Sequence, residues 1–395
     1  MGMRQMRRIG VAMAALMLLG ASVAAANPRI AVDLATGRVI EHEQAFQRWY
    51  PASLTKLMTV YIVFSAIRSG QMTLETPIAM SVPAASEPPS KMYFKPGERF
   101  PLDSAIKYLM IKSANDVAVA IAEAVAGSKE AFVAEMNATA VRLGMLSTRF
   151  VNPHGLPASG QYTTARDMAV LAVALRRDFP EFAPYFGYEG FAMGSSTEEN
   201  HNLLIGRFQG ADGMKTGFIC ASGFNQVSSA TRNGKTVISV VLGALSQQAR
   251  AEESARMLQE TLTSSGAGGV TLMNLAPYGE GRDVVADISA NICTKTAQAE
   301  RNDDRDEDGK LVLNSPYLVE LQRERRLVQA PASPATTGVE IALSRVPIPM
   351  ARPSDGPGGE VKPIAASAFT APAAPAAEAM PLRSSVPIPI PRPET

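Results

Sequence analysis

A chain of 395 residues has room for two or three folded units, and a formal net charge of +1 leaves no excess that would draw it onto nucleic acid or an acidic surface. Its 28 prolines crowd the C-terminus, so the last part of the chain differs in kind from the rest.

The first 26 residues read as a targeting segment. Arg4, Arg7 and Arg8 supply a basic start, and Ile9 to Ala21 is an apolar run too short to span a bilayer. Ala24-Ala25-Ala26 offers a small-residue cleavage site, which predicts export and a mature chain beginning near Asn27; an uncleaved anchor is the alternative. No cysteine lies near that site, which excludes a lipoprotein, and no later segment has the length and apolarity of a membrane span.

Arg29–Leu34 and Arg38–Glu43 flank Ala35-Thr36-Gly37 and predict a β-hairpin. Tyr50 to Phe64 follows, and between Arg48 and Arg68 the only formally charged side chain is Lys56. That pattern predicts a helix buried on most of its circumference, with Pro51 in its first turn. A lone buried lysine is driven toward the neutral amine, which is a base. Ser53, three residues back, shares its helix face. A serine beside a base at a positive helix end is an activated nucleophile. The plain alternative is a core helix with a snorkelling lysine, since Ser-x-x-Lys is common by chance.

Residues 79–100 carry four prolines and predict a loop. Leu102–Lys112 and Asp116–Val125 predict two apolar helices, the second closed by Gly127, with Ser113-Ala114-Asn115 in the tight connection between them. Capping alone would explain Ser113 and Asn115 there. Ser128 opens a further helix ending at Gly144, Asn152–Leu156 is a turn, and Thr164-Ala-Arg-Asp167 is a capping box for a helix reaching Arg177. His154 reads as structural rather than as the partner of a nucleophile, because Ser53 already has a base one turn away.

From Phe182 the character turns to β. Met214–Cys220 predicts a strand, Asn233-Gly234 predicts a hairpin between Phe224–Thr231 and Lys235–Leu242, and Ala249–Thr263 predicts a closing helix. Strands at both ends of residues 27–265, with helices between, give an α/β domain: one sheet flanked by helices on both faces. Cys220 and Cys293 are free to pair in an oxidising compartment, and the sequence leaves that pairing open.

Residues 266–329 form a small region of mixed character, open to a few strands or to a helix such as Pro316–Leu327. Asp304–Gly309 has the first half of a calcium loop, but its twelfth position is Ser315 instead of glutamate, so a solvated charge run is the better reading. From Ala330 to Thr395, proline and alanine dominate and predict a disordered tail. Val346-Pro-Ile-Pro-Met-Ala-Arg-Pro353 recurs as Val386-Pro-Ile-Pro-Ile-Pro-Arg-Pro393, which fits a stiff motif for a protein partner's groove and equally a spacer.

Three motifs stand in order on a helix, a helix connection and a strand: Ser53-Leu-Thr-Lys56, Ser113-Ala-Asn115 and Lys215-Thr-Gly217. With their surroundings, Pro51-Ala-Ser-Leu-Thr-Lys-Leu-Met58, Asn152-Pro-His-Gly-Leu156 and Asp212-Gly-Met-Lys-Thr-Gly-Phe218, they make residues 28–265 resemble the serine-type D-alanyl-D-alanine carboxypeptidases, the low-molecular-mass penicillin-binding proteins. The resemblance implies a penicillin-binding/β-lactamase-like fold, an antiparallel sheet flanked by helices, working in the periplasm or at the periphery of the inner membrane. It implies substrates that are peptidoglycan stem peptides ending in D-Ala-D-Ala, acylation by β-lactams, and no metal or organic cofactor. Ser53 is then the expected nucleophile, Lys56 its base and Ser113 a proton relay. Asn115, Lys215, Thr216, Gly217, Phe218 and Arg250 are the expected substrate-binding residues, with the backbone N–H groups of Ser53 and Phe218 as the oxyanion donors.

Two departures bear on activity. Ile219 stands where the family often has a hydroxyl side chain. Glu198-Glu-Asn-His-Asn202 matches the deacylating Glu-x-x-x-Asn of class A β-lactamases in letters only, because it falls just before the Lys215 strand. A DD-endopeptidase with the same site, a slow β-lactamase and a non-catalytic penicillin-binding scaffold are the competing readings.

Overall fold

Residues rich in valine and isoleucine at both ends of the domain meet in one sheet. The computed structural model describes residues 27–265, 269–303, 305–306 and 309–332. The expected targeting segment, residues 266–268, residues 304, 307 and 308 of the acidic run, and the proline-rich stretch from residue 333 onward lie outside the described residues.

Strands β1 (Arg29–Asp33) and β2 (Val39–Glu43) form the expected hairpin. A tight 3-10 turn over Ala52–Thr55 then leads into α1 (Lys56–Arg68), so the predicted helix is real but its first turn is more tightly wound. Short β3 (Pro77–Ala79) and β4 (Arg99–Pro101) pair across the predicted loop. The expected Leu102–Lys112 helix is α2 (Leu102–Lys107) continued by one wide π turn, Tyr108–Lys112. Helices α3 (Asn115–Ala126), α4 (Lys129–Leu143) and α5 (Ala165–Asp178) follow. The Ser128 and Thr164 hydroxyls cap α4 and α5 by accepting from the Ala131 and Asp167 N–H groups. Strands β5 (Gly190–Met193) and β6 (Ser196–Glu199) form a side hairpin. Then come β7 (Ala211–Ile219), β8 (Gly223–Arg232), β9 (Lys235–Ala244) and α6 (Gln247–Thr263).

The main sheet has the order β2-β1-β9-β8-β7 and every pair in it is antiparallel. The first strand thus inserts beside the last, from Arg29 opposite Val241 to Asp33 opposite Val237. Asn233 and Gly234, both with positive φ, make the two-residue turn that joins β8 to β9. Alternation along the strands sorts side chains to two faces. Ile30, Val32, Ile238 and Val240 join a core with Met168, Leu171 and Leu175 of α5. Ala31 and Val241 pack with Met257 of α6, while Val237 and Ala230 meet Ala251, Ala255 and Leu258 of the same helix. Helix α1 lies deep in the first core, with Leu57, Val60, Val63 and Phe64 all fully buried. Each such side chain contributes roughly 1.5–3 kcal/mol, enough to hold a buried lysine in the same helix.

The chain beyond α6 returns to this body. Cys220 and Cys293 are joined in a disulfide, Cα–Cα 5.6 Å. The single turn Ser289–Ile292 precedes α7 (Lys295–Asp303). Of the two forms open to Pro316–Leu327, the structure takes the strand: the stretch is irregular and ends in β10 (Leu327–Gln329), parallel to β5. Tertiary partners settle its form. Val319 N–H donates to the Arg207 carbonyl, and Glu189 accepts from both Arg323 and the Arg326 N–H, so these groups are satisfied outside a helix. Among the described residues no helix is long and apolar enough to cross a membrane, and no cluster of acidic, histidine or cysteine side chains is set to hold a metal ion.

Candidate active site

Strand β8 sets the entry to the 3-10 turn. The Asn225 side-chain amide donates to the Tyr50 carbonyl at 2.9 Å, and its oxygen accepts from the Gly243 N–H at 2.9 Å. Ala52 is held at φ 47°, a costly conformation for a residue with a Cβ. The turn Asn152–Leu156 clasps the other side. Gly155 lies so close that a Cβ there would sit 1.8 Å from the Ala52 carbonyl oxygen, and Thr59 donates to the Pro153 carbonyl at 2.6 Å.

Ser53 and Lys56 therefore emerge at a fixed angle. Lys56 Nζ lies 3.1 Å from Ser53 Oγ, 2.8 Å from Asn115 Oδ1 and 2.8 Å from the His154 carbonyl oxygen. Asn115 is oriented by its own amide nitrogen, which donates to the Pro88 carbonyl, so its oxygen must face Lys56. Lys56 is completely buried, and burial, reinforced by the Lys215 charge, holds its pKa well below the usual value; Asp116 opposes this. The Asn115 and His154 oxygens only accept. A neutral amine spends its two hydrogens on them and turns its lone pair toward Ser53 Oγ. This arrangement can remove a proton from the serine.

Ser113 ends the π turn at φ 64°, and its hydroxyl is buried with no partner among the described protein groups. The wall beside it, residues 88–93, is tied down from α3. The buried Asp116 carboxylate accepts from the Met92 and Tyr93 N–H groups, and Ser90 donates to the Lys112 carbonyl. Across the cleft, Gly217 lets β7 approach Ser53, because a Cβ there would lie only 3.0 Å from the Ser53 nitrogen. Lys215 is buried behind Thr216, its pKa pushed down to about 7 by burial and by Arg250. Arg250 rises from α6, with weak hydrogen bonds at 3.4 Å to the Asn225 and His201 carbonyls and its Nε unpartnered. Burial lowers its pKa too, yet a guanidinium stays charged.

Ser53, Ser113, Asn115, Thr216, Gly217, Phe218 and Arg250 line one cleft of about 380 Å³, and Lys56 and Lys215 sit directly behind its wall. All nine residues singled out from sequence are thus brought together.

The profile of the D-alanyl-D-alanine carboxypeptidase family matches residues 18–246. The chain belongs to this family. D-alanyl-D-alanine carboxypeptidase DacC of Escherichia coli (strain K12) is 38% identical over 236 residues, 58% of this chain and 59% of that one. DacF of Bacillus subtilis (strain 168) is 33% identical over 238 residues, 59% of this chain and 61% of that one. The chain therefore spans less than two thirds of the length of these relatives. Among solved structures, DacD from Francisella tularensis matches with a TM-score of 0.58 and 34% identity, covering 60% of this chain and 70% of that one. Penicillin-binding protein D2 from Listeria monocytogenes, in an ampicillin-bound form, matches with a TM-score of 0.52 and 28% identity, covering 60% of this chain and 96% of that one.

Within this carboxypeptidase-family cleft stand groups that sequence reasoning missed. The His154 carbonyl as a partner of Lys56 is one, since a main-chain acceptor leaves no mark on residue type. The imidazole itself is structural: its Nδ1 accepts from the Leu156 N–H, leaving Nε2 to face Glu87 at 3.3 Å. Pro89, Ser90, Lys112, His201 and Gln247 also line the cleft, and only the fold brings them there. Ile219 lines the rim, so the departure from the family pattern falls where a substrate would lie. Glu198 is engaged with Lys112 at the edge of the cleft.

Proposed function

We propose that the chain is an exported serine DD-carboxypeptidase, which removes the terminal D-alanine from peptidoglycan stem peptides through an acyl-enzyme on Ser53, and that β-lactams acylate the same serine. The observation that carries this reading is the Ser53–Lys56 pair, in which a buried amine with both hydrogens committed faces the hydroxyl at 3.1 Å. Membership of the family supports it, as does the likeness to a Listeria penicillin-binding protein described with ampicillin bound.

Ser53 Oγ attacks the carbonyl carbon of the last amide bond while its proton passes to Lys56 Nζ. The Ser53 and Phe218 N–H groups take the developing oxyanion. Ser113, whose hydroxyl has no other protein partner among the described groups, relays the proton to the D-alanine nitrogen as the C–N bond breaks. Lys215, Thr216 and Arg250 hold the terminal carboxylate, and Asn115 orients the acyl side while fixing Lys56. Water then attacks the ester, giving one proton back through Lys56, and Ser53 is restored. The engagement of Glu198 by Lys112 leaves it unavailable as a deacylating base, which supports slow loss of bound penicillin. The basic and apolar start of the chain supports export to the periplasm, and the repeated proline-rich motif supports a tail that spaces the enzyme or docks a protein partner.

The test is D-alanine release from a pentapeptide ending in D-Ala-D-Ala, beside covalent labelling by a fluorescent penicillin. Wild type releases and labels; Ser53→Ala loses both, release falling by roughly a thousand-fold or more. A folded wild type that labels but releases nothing would turn the reading toward an endopeptidase, with Ile219 the first suspect.

A further inference from the structure

The family match ends at residue 246, yet the chain beyond it builds onto the cleft. Phe224 of β8 lies opposite Phe218 of β7, and the two rings meet tilted by 36° with centroids 4.4 Å apart. Arg250 lies 5.8 Å from the Phe224 ring centroid on the cleft side. Arg301, from α7, lies 5.8 Å from the same centroid. The two guanidinium groups are therefore at most twice that distance apart, with one aromatic ring between their contacts.

Arg301 also lines a second cavity of about 270 Å³, and Phe224 and Gln247 are common to it and to the main cleft. Its other walls include Gln298, Arg305 and Ser246, and no carboxylate is among its described lining residues. Arg301 forms no ion pair among the described residues, whereas Arg305 donates to the Gly309 carbonyl at 2.7 Å. An arginine in a cavity adjoining the cleft, with no anionic partner among the described residues, is free to take one on a ligand.

The segment that carries Arg301 is pinned to the site at two points. The Cys220–Cys293 disulfide ties it to the residue after β7, and the Ile288 N–H donates to the Ala221 carbonyl at 3.1 Å. Ile288 and Ile292 fill the space left open over Gly223, where a Cβ would meet them at 2.9 and 3.2 Å. The position of Arg301 relative to Phe218 is thus built, not incidental.

We propose that Arg301, assisted by Arg305, forms a second anion subsite that takes a carboxylate of the substrate other than the terminal one facing Arg250. The proposal rests on the peptidase reading above, and it makes the preferred substrate a peptide carrying two carboxylates within roughly 10 Å, about three extended residues. That second carboxylate belongs either to the acyl side of the scissile bond or to the leaving amino acid.

Three synthetic peptides separate these cases with the full chain: diacetyl-L-Lys-D-Ala-D-Ala, its analogue with the lysine ε-amine succinylated, and diacetyl-L-Lys-D-Ala-D-Glu. The reading is kcat/KM for release of the last D-amino acid, taken as the ratio of each dicarboxylate to the monocarboxylate peptide. We expect one of the two ratios to fall about five-fold in Arg301→Ala, to recover in Arg301→Lys, and to shrink in wild type at high salt. The succinylated peptide responding places the subsite on the acyl side; the D-Glu peptide responding places it on the leaving side. Release from all three peptides with both ratios unmoved by Arg301→Ala would overturn the subsite alone. Release from none by the folded wild type would overturn the carboxypeptidase reading and the subsite with it.

Discussion

Lys56 and Lys215 are two buried amines behind one cleft wall, and each environment disfavours a second positive charge. Burial is the main cause for both, with Lys215 adding to the shift of Lys56 and Arg250 to that of Lys215. This has a consequence for folding that can be measured. Lys215 titrates at about 7 in the folded chain against an ordinary 10.5, so between those values the unfolded chain binds more protons than the folded one. Stability therefore rises as pH is raised from 7 toward 9, and Lys215→Met flattens the rise; urea midpoints at a series of pH values read it directly. The lone charge between Arg48 and Arg68 made Lys56 legible in the sequence. Lys215 was legible only through its motif, because its strand neighbours say nothing of a second amine about to be packed near it. Asn115 was readable as a polar group in an apolar connection, but its hydrogen-bond orientation, set by the Pro88 carbonyl, was not.

Elements matter here chiefly by where they touch. The turn Asn152–Leu156 was readable from Asn, Pro and Gly as a turn, and nothing in its spacing announced that it would clasp the 3-10 turn nearly a hundred residues earlier. That contact is close enough to make Gly155 a test of it. Gly155→Ala places a methyl group on the Ala52 carbonyl at positive φ, so either the turn or the nucleophile must move. We expect penicillin acylation to slow at least about ten-fold, with a lower Tm, measured by labelling kinetics and by calorimetry. The sheet order was half visible for a similar reason. β1, β2 and β9 announced themselves by valine and isoleucine, and Asn233-Gly234 fixed one hairpin, but the pairing of β1 with β9 is a long-range fact. Pro316–Leu327 was open to strand or helix in the sequence, and its partners, Glu189 and the Arg207 carbonyl, are long-range facts too.

Composition places the start of the tail at Ala330, yet the body still holds that residue. Ala330 is fully buried, the Tyr108 hydroxyl donates to the Ala330 and Pro331 carbonyls at 2.9 and 3.0 Å, and Lys107 donates to the Gln329 carbonyl at 2.8 Å. Two truncations therefore differ sharply. Removing residues 333–395 leaves peptide turnover and Tm unchanged. Removing residues 327–395 strips β10 from β5 and uncovers Tyr108 at the head of the π turn that ends in Ser113, so Tm falls by several degrees, about 1–3 kcal/mol for the lost buried partners, and acylation slows. Thermal scans and penicillin labelling of both proteins check this.

The disulfide between Cys220 and Cys293 also decides how the molecule yields under load. A pull on the tail first unzips β10 and then the strap behind it, paying out up to about 130 Å of slack from residues 294–332 before the covalent knot takes the strain. Everything on the far side of the knot, the sheet and the Ser53 turn, is then loaded through the end of β7 and through the main chain running back from Cys293 toward α6. Arg301 lies on the slack side. Tension carried by the tail would thus draw Arg301 away from beside the cleft while leaving the wall that holds Ser53 standing.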